Sequence, residues 1–318
     1  SDVRRRIAPA RGLRPGREDS ALPVPALDPP NGEIESLRVT EFRDYIACPY
    51  RYYLRHRLRL RALDDTAPEL DGGQFGTILH DVLRRFGEDP VRDSATSEDI
   101  REQLFLSLGQ LQAEQFGESP MPAVRVQIEL LKLRLAEFAI QQASWRRDGW
   151  KIKVVERDVM EGEAPFPVDG APVYLRGRID RVDFNERDGR HAVLDYKSSE
   201  TAKTPDAIHR RQGAWIDLQL PLYRHLVKAL DIDGEVQLGF VLIPKAVEKT
   251  RFELATWTAE ELAGADRVAE EVVRGIRRRQ FPLAASTPEF FEEFAAICQD
   301  DQFGVAGRTA GEPDPEAE

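Results

Sequence analysis

A chain of 318 residues, 41% hydrophobic and 32% charged, has the make-up of a soluble globular protein and the length for one large domain or two. No apolar run nears the roughly 18 residues of a membrane span and no signal peptide opens the chain, so the cytoplasm is the expected place. The 45 Lys and Arg against 56 Asp and Glu leave a net charge of −11, which speaks against a non-specific nucleic-acid binder, and two cysteines, Cys48 and Cys298, exclude a disulfide framework.

The first residue is Ser rather than Met, as expected of a processed chain or a fragment of something longer. Residues 1–35 are rich in Pro and Arg and lack apolar periodicity, so they read as an extended or flexible lead-in. Residues 36–47 read as a short helix capped by Thr40, with Phe42, Tyr45 and Ile46 on one stripe. Cys48-Pro49 ends it, because the residue before proline avoids the helical region. From Tyr50 to Leu60, aromatics alternate with Arg51, Arg55, Arg57 and Arg59. Two readings stand: a helix packing its aromatics inward, or arginines presented to backbone phosphates. Beyond Asp71-Gly72-Gly73, a helix spans Gly76 to about Phe86, with Leu79, Val82, Leu83 and Phe86 buried and Gly87 as its stop. His80 sits beside that stripe, where a lone histidine reads more often as a core or boundary residue than as a ligand.

Residues 96–145 are helical, part of an insertion over about 90–148, and carry no visible chemistry. Trp150 to Met160 reads as a strand, with Glu156 an extra acid. Residues Tyr174 to Lys197 then form a β-hairpin whose two β-branched and aromatic runs flank a polar turn containing Asp188-Gly189. Strand residues two apart share a face, so Asp195 and Lys197 point the same way, and an even loop puts Asp180 roughly opposite Asp195. This trio is either a surface ion-pair cluster or a Mg²⁺ site with a lysine beside it. The apolar neighbours Ile179, Val182, Val193 and Leu194 favour the metal, because buried carboxylates are costly unless paired or coordinated.

Thr201 to Arg211 reads as a polar, mobile segment offering Lys203, His209, Arg210 and Arg211 to a phosphate backbone. The next helix carries Trp215, Leu218, Leu222 and Leu226 on one stripe. Gln219 and Tyr223, four apart, project together, and Pro221 implies a kink or a nearby helix start. Strands at Val236–Pro244 and Phe252–Trp257 and a helix at Ala259–Arg279 follow. Residues 301–318 read as an acidic disordered tail. Neither a Gly-x-x-x-x-Gly-Lys-[Ser/Thr] phosphate loop nor a Gly-x-Ser-x-Gly nucleophile turn occurs.

Four motifs in order, Gly76-Thr-Ile-Leu-His80, Gly177-Arg-Ile-Asp180-Arg-Val-Asp183, Asp195-Tyr-Lys197-Ser and Gln219-Leu-Pro-Leu-Tyr223, resemble the RecB-like branch of the PD-(D/E)xK nucleases. The likeness is nearest to the C-terminal nuclease domain of AddB-type helicase–nuclease subunits, and Cys48-Pro49-Tyr50-Arg51-Tyr52-Tyr53 resembles the start of that domain. The resemblance covers about residues 36–300. It implies an α/β fold with a restriction-endonuclease-like core, a central mixed β-sheet flanked by helices. It also implies that His80, Asp180, Asp195 and the backbone carbonyl of Tyr196 hold Mg²⁺ or Mn²⁺. Lys197 would orient the attacking water and steady the phosphate, with Gln219 and Tyr223 shaping the site. The implied substrate is DNA and the implied partner a helicase domain or subunit, in double-strand-break repair. Relatives often carry a four-cysteine iron–sulfur cluster, but its middle positions fall on Glu289 and Glu292. Carboxylates are poor ligands for such iron, so no cluster is expected. The rival expectations are a non-catalytic DNA-binding or assembly subunit, and a same-fold nuclease of CRISPR spacer processing.

Overall fold

One long strand, β3 (Val173–Asn185), organises the sheet and the position of the site. The computed structural model describes residues 34–61, 72–117, 120–199, 201–284, 288 and 294–298. Along one edge of β3 runs the antiparallel β2 (Trp150–Phe166), paired from Trp150↔Asn185 to Phe166↔Val173. The other edge is shared. Short β1 (Ser36–Arg38) pairs in parallel with Tyr174 to Arg176, and β4 (His191–Lys197) pairs antiparallel with Arg181 to Phe184. Residues 177–180 lie between these partners, and Asp180 stands at the end of that gap. Beyond β4 come the parallel β7 (Val236–Leu242) and the antiparallel β8 (Arg251–Leu254), completing a mixed six-stranded sheet.

Alternation along β4 serves both faces of the sheet. Val193 belongs to one core with β1, helix α1 (Glu41–Ala47), α7 (Gln219–Leu226) and α8 (Ala259–Arg277). Ala192, Leu194 and Tyr196 belong to a second core with α3 (Gly72–Glu88), α4 (Ser97–Phe116) and α5 (Pro122–Arg147). The stretch read as helical over 96–145 holds the α4–α5 pair. Helix α8 starts on a full capping box, Thr258 with Glu261, which satisfies two otherwise orphan N–H donors.

Several expectations need correcting. Residues 36–38 form a strand, not the first turn of a helix, because Leu37 packs into the core while its backbone pairs with β3. Thr40 does precede α1, but its side chain makes no capping hydrogen bond. Gly87 lies inside α3 rather than stopping it: a Cβ there would fall 2.6 Å from Val155 Cγ2, so its role is close approach to β2. The segment at 201–211 is built, with α6 (Pro205–His209) and a small hairpin of β5 (Arg210–Arg211) and β6 (Ala214–Trp215). His209 is buried there, not open to a phosphate, and Arg210 pairs with Glu261. In the aromatic–arginine stretch, α2 (Pro49–Tyr52) and a π-helical turn (Tyr53–Arg57) bury Tyr50, Tyr52 and Tyr53, as the packing reading requires, but they bury Arg51 as well. Of the lead-in at 1–35, residues 1–33 lie outside the described residues, as does the tail at 301–318.

Candidate metal and cleavage site

The two strands of the hairpin part just beyond the Arg181↔Leu194 pair, and the site occupies the opening. One step further in the same register, Asp180 comes opposite Asp195. With no ladder partner across the gap, the Tyr196 N–H donates instead to Asp180 Oδ2 at 2.9 Å. Helix α3 closes on β2 through the Gly87–Val155 contact, and His80, two turns earlier in that helix, reaches the acids of both strands. Its Nδ1 lies 3.1 Å from Glu156 Oε1 and 3.8 Å from Asp180 Oδ2.

His80, Glu156 and Asp180 thus offer ligand atoms all within 4.8 Å of one another. The two carboxylates are the oxygen donors that Mg²⁺ and Mn²⁺ accept, and the imidazole nitrogen beside them is a softer donor. Glu156 is the residue the sequence undervalued. Its φ is +44°, left-handed backbone inside a strand, which a non-glycine residue occupies only when its surroundings enforce it. The sequence signal for it was an acid in an otherwise alternating strand.

Asp195 stands beside this triplet rather than in it. Its Oδ1 accepts hydrogen bonds from Gln219 Nε2 (3.0 Å) and the Tyr223 hydroxyl (3.2 Å), and Gln219 Nε2 also reaches that hydroxyl at 2.7 Å. Lys197 Nζ lies 2.7 Å from Asp195 Oδ2, an ion pair in which the ammonium group donates to that buried oxygen. Gln219 and Tyr223 project from one face at the start of α7, and Pro221 sits in its first turn, so the proline marks a helix start and not a kink. Asp217 holds that start in place by accepting the Gln219 N–H at 2.8 Å, while buried His209 braces Asp217. The sequence reading missed this Asp217–His209 support.

Electrostatics fits a cation. Burial, then the neighbouring Asp195 charge, push the Asp180 carboxyl up to about 8, so without a positive charge it holds a proton at neutral pH. Burial pulls His80 down, but its hydrogen bond to Glu156 and the Asp180 charge outweigh that and raise it above an ordinary histidine. Burial likewise pulls Lys197 down, and Asp195 more than restores it, leaving a firm ammonium ion. Buried acids this close together, one of them driven to hold a proton, fit a divalent ion.

The cysteines lie elsewhere. Cys48 and Cys298 are buried thiols outside any disulfide, both beside Tyr50, whose hydroxyl is pushed up by burial and then by Cys298, Tyr53 and Cys48. Glu289 and Glu292 lie outside the described residues.

This fold is that of a nuclease superfamily. The family model described as the PD-(D/E)XK nuclease superfamily matches residues 36–300, and the chain belongs to that superfamily. It is similar to proteins named as the B-type subunit of an ATP-dependent helicase/deoxyribonuclease. With that of Staphylococcus epidermidis it shares 25% identity over 251 residues, 71% of this chain and 21% of the relative. With that of Carboxydothermus hydrogenoformans the identity is 24% over 265 residues, 78% of this chain and 23% of the relative. With that of Moorella thermoacetica it is 29% over 217 residues, 63% and 18%. The chain spans about a fifth of the length of these curated relatives. Among the described residues no helix is long and apolar enough to cross a membrane.

Proposed function

We propose that this chain hydrolyses DNA phosphodiesters with a divalent cation, Mg²⁺ or Mn²⁺, as the exonuclease module of a cytoplasmic helicase–nuclease that processes double-strand breaks. The observation that carries the proposal is the convergence of His80, Glu156 and Asp180 on one point, with the Asp195–Lys197 pair beside it. His80, Asp180 and Asp195, with the Tyr196 carbonyl and Glu156, are the groups to hold the ion. When bound, such a cation offsets phosphate charge and acidifies water. Lys197 keeps its proton and presents a positive charge to the phosphate as negative charge develops on it. Gln219 and Tyr223 fix the Asp195 carboxylate by two hydrogen bonds to one oxygen, leaving the other facing Lys197. A helicase domain or subunit would feed a DNA end to this site, in keeping with the names of the relatives.

The test is cleavage of end-labelled single- and double-stranded DNA with Mg²⁺, Mn²⁺ or chelator. Metal-dependent cleavage is expected, and Asp195→Ala or Lys197→Ala should abolish it. Wild-type cleavage by either variant would overturn the reading. DNA binding without cleavage would instead make the chain a non-catalytic assembly subunit.

A further inference from the structure

Behind the site, on the face of β3 turned to the helical insertion, Arg181 and Asp183 form a charge pair with 0% exposure of either side chain. Two parallel hydrogen bonds of 2.6 Å join them. A buried pair of this kind is weak support for stability, since apolar residues of like volume often do as well or better. Its surroundings suggest a different use. Helix α5 supplies two partners: Gln142 Oε1 accepts from Arg181 Nη1 at 2.8 Å, and Trp145 Nε1 donates to Asp183 Oδ2 at 2.7 Å. The guanidinium lies over the Phe252 ring, 5.3 Å from its centroid, and close to the Tyr196 hydroxyl.

Tyr196 is where this network meets the site. Its ring stands edge-on to His80, centroids 5.6 Å apart and planes at 86°, and its N–H holds Asp180. One residue therefore touches two of the ion-holding side chains, and its hydroxyl end lies against the Arg181–Asp183 clamp, whose guanidinium cannot lose its charge. We propose that Arg181 is a positioning residue, which through Tyr196 fixes His80 and Asp180 for the divalent ion, and that α5 of the helical insertion is the buttress of that clamp. This gives the insertion, which shows no chemistry in its sequence, a part in metal binding. The proposal rests on the metal-site reading above.

The experiment is titration calorimetry of Mn²⁺ binding, with thermal unfolding and cleavage followed in parallel, on wild type, Tyr196→Phe and Gln142→Met. Loss of an outer support typically weakens metal binding about 10–100-fold. Tyr196→Phe should weaken Mn²⁺ about tenfold, and cleavage should recover as Mn²⁺ is raised. Gln142→Met, which touches no site residue, should shift Mn²⁺ binding in the same direction by a smaller factor, and it decides the matter if Tyr196→Phe does not fold. A merely structural role would lower the melting temperature and leave Mn²⁺ affinity alone. Folded variants that bind Mn²⁺ like wild type overturn this proposal by itself, whereas a wild type that binds no Mn²⁺ removes the metal-site reading and this proposal together.

Discussion

Lys197 and Asp195, two residues apart on β4, point to one face and meet at 2.7 Å between Nζ and Oδ2, while the other Asp195 oxygen is held by Gln219 and Tyr223. The lysine is thus aimed by an acid that is itself aimed from a separate helix. Lys197→Met keeps the stem and removes the charge. It should lower cleavage by about 10²–10³-fold, the range for losing one preorganised charge-stabilising donor. Mn²⁺ binding should stay within a few fold, because Lys197 is not among the ion-holding groups. Calorimetry beside single-turnover cleavage separates the two, and loss of Mn²⁺ binding along with cleavage would show that Lys197 acts by holding Asp195.

Glu156 joins a strained backbone to a buried carboxylate. For an L-residue the left-handed region costs about 1–2 kcal/mol, which glycine escapes. Glu156→Gly should therefore raise the melting temperature of the ion-free protein while weakening Mn²⁺ binding at least about tenfold, the lower end of what losing even an outer support costs. Stability and metal affinity moving in opposite directions is the diagnostic result. Thermal melts with and without Mn²⁺ give both, and an unchanged Mn²⁺ shift would remove Glu156 from the site.

The pH dependence follows from protons the folded site holds. Asp180, with its carboxyl pushed up to about 8 in the fold against about 3.9 in the unfolded chain, binds more protons folded than unfolded between those values. Its contribution to stability therefore declines as pH rises through that window. His80, also raised, acts in the same direction: its contribution is complete below about 6.5 and is lost as pH climbs through its folded value. A bound ion needs Asp180 ionised and His80 neutral, so binding displaces protons. The rise in melting temperature on adding Mn²⁺ should accordingly be larger at pH 8 than at pH 6. An equal rise at both would mean that the ion does not displace these protons.

What the sequence made legible was what depends on local spacing. The face shared by Asp195 and Lys197, the Asp180–Asp195 register and the Gln219–Tyr223 pair each follow from a period of two or of about four, and the structure has all three. Hidden were features set by partners distant in sequence. Ser36 to Arg38 has no strand signal of its own and becomes a strand because β3 leaves that stretch of edge open. The His209 ring is buried by Phe240 and Trp257, from β7 and the loop after β8, which its polar neighbours could not foretell. Arg181 and Asp183 sit inside a recognised motif, yet their buried pair is completed by Gln142 and Trp145, some forty residues earlier.

Gly239 tests the scaffold apart from the chemistry. It pairs with Leu194 on one side and Leu254 on the other, so it lies in the strand between β4 and β8. A Cβ there would stand 2.7 Å from the Glu253 carbonyl oxygen, 2.9 Å from Leu254 Cδ2 and 3.2 Å from Leu194 Cδ2. The side chains could yield, but the carbonyl belongs to the β7–β8 ladder and moves only if that pairing opens. Gly239→Ala should therefore destabilise the protein by about 1–3 kcal/mol, the usual cost of overpacking a well-packed core. Because Asp195 and Lys197 continue the same β4–β7 register beyond this point, part of the strain should reach the site as weaker cleavage well below the melting temperature. Denaturant unfolding of Gly239→Ala measures the first effect, and a midpoint equal to wild type would show that β8 can swing away freely.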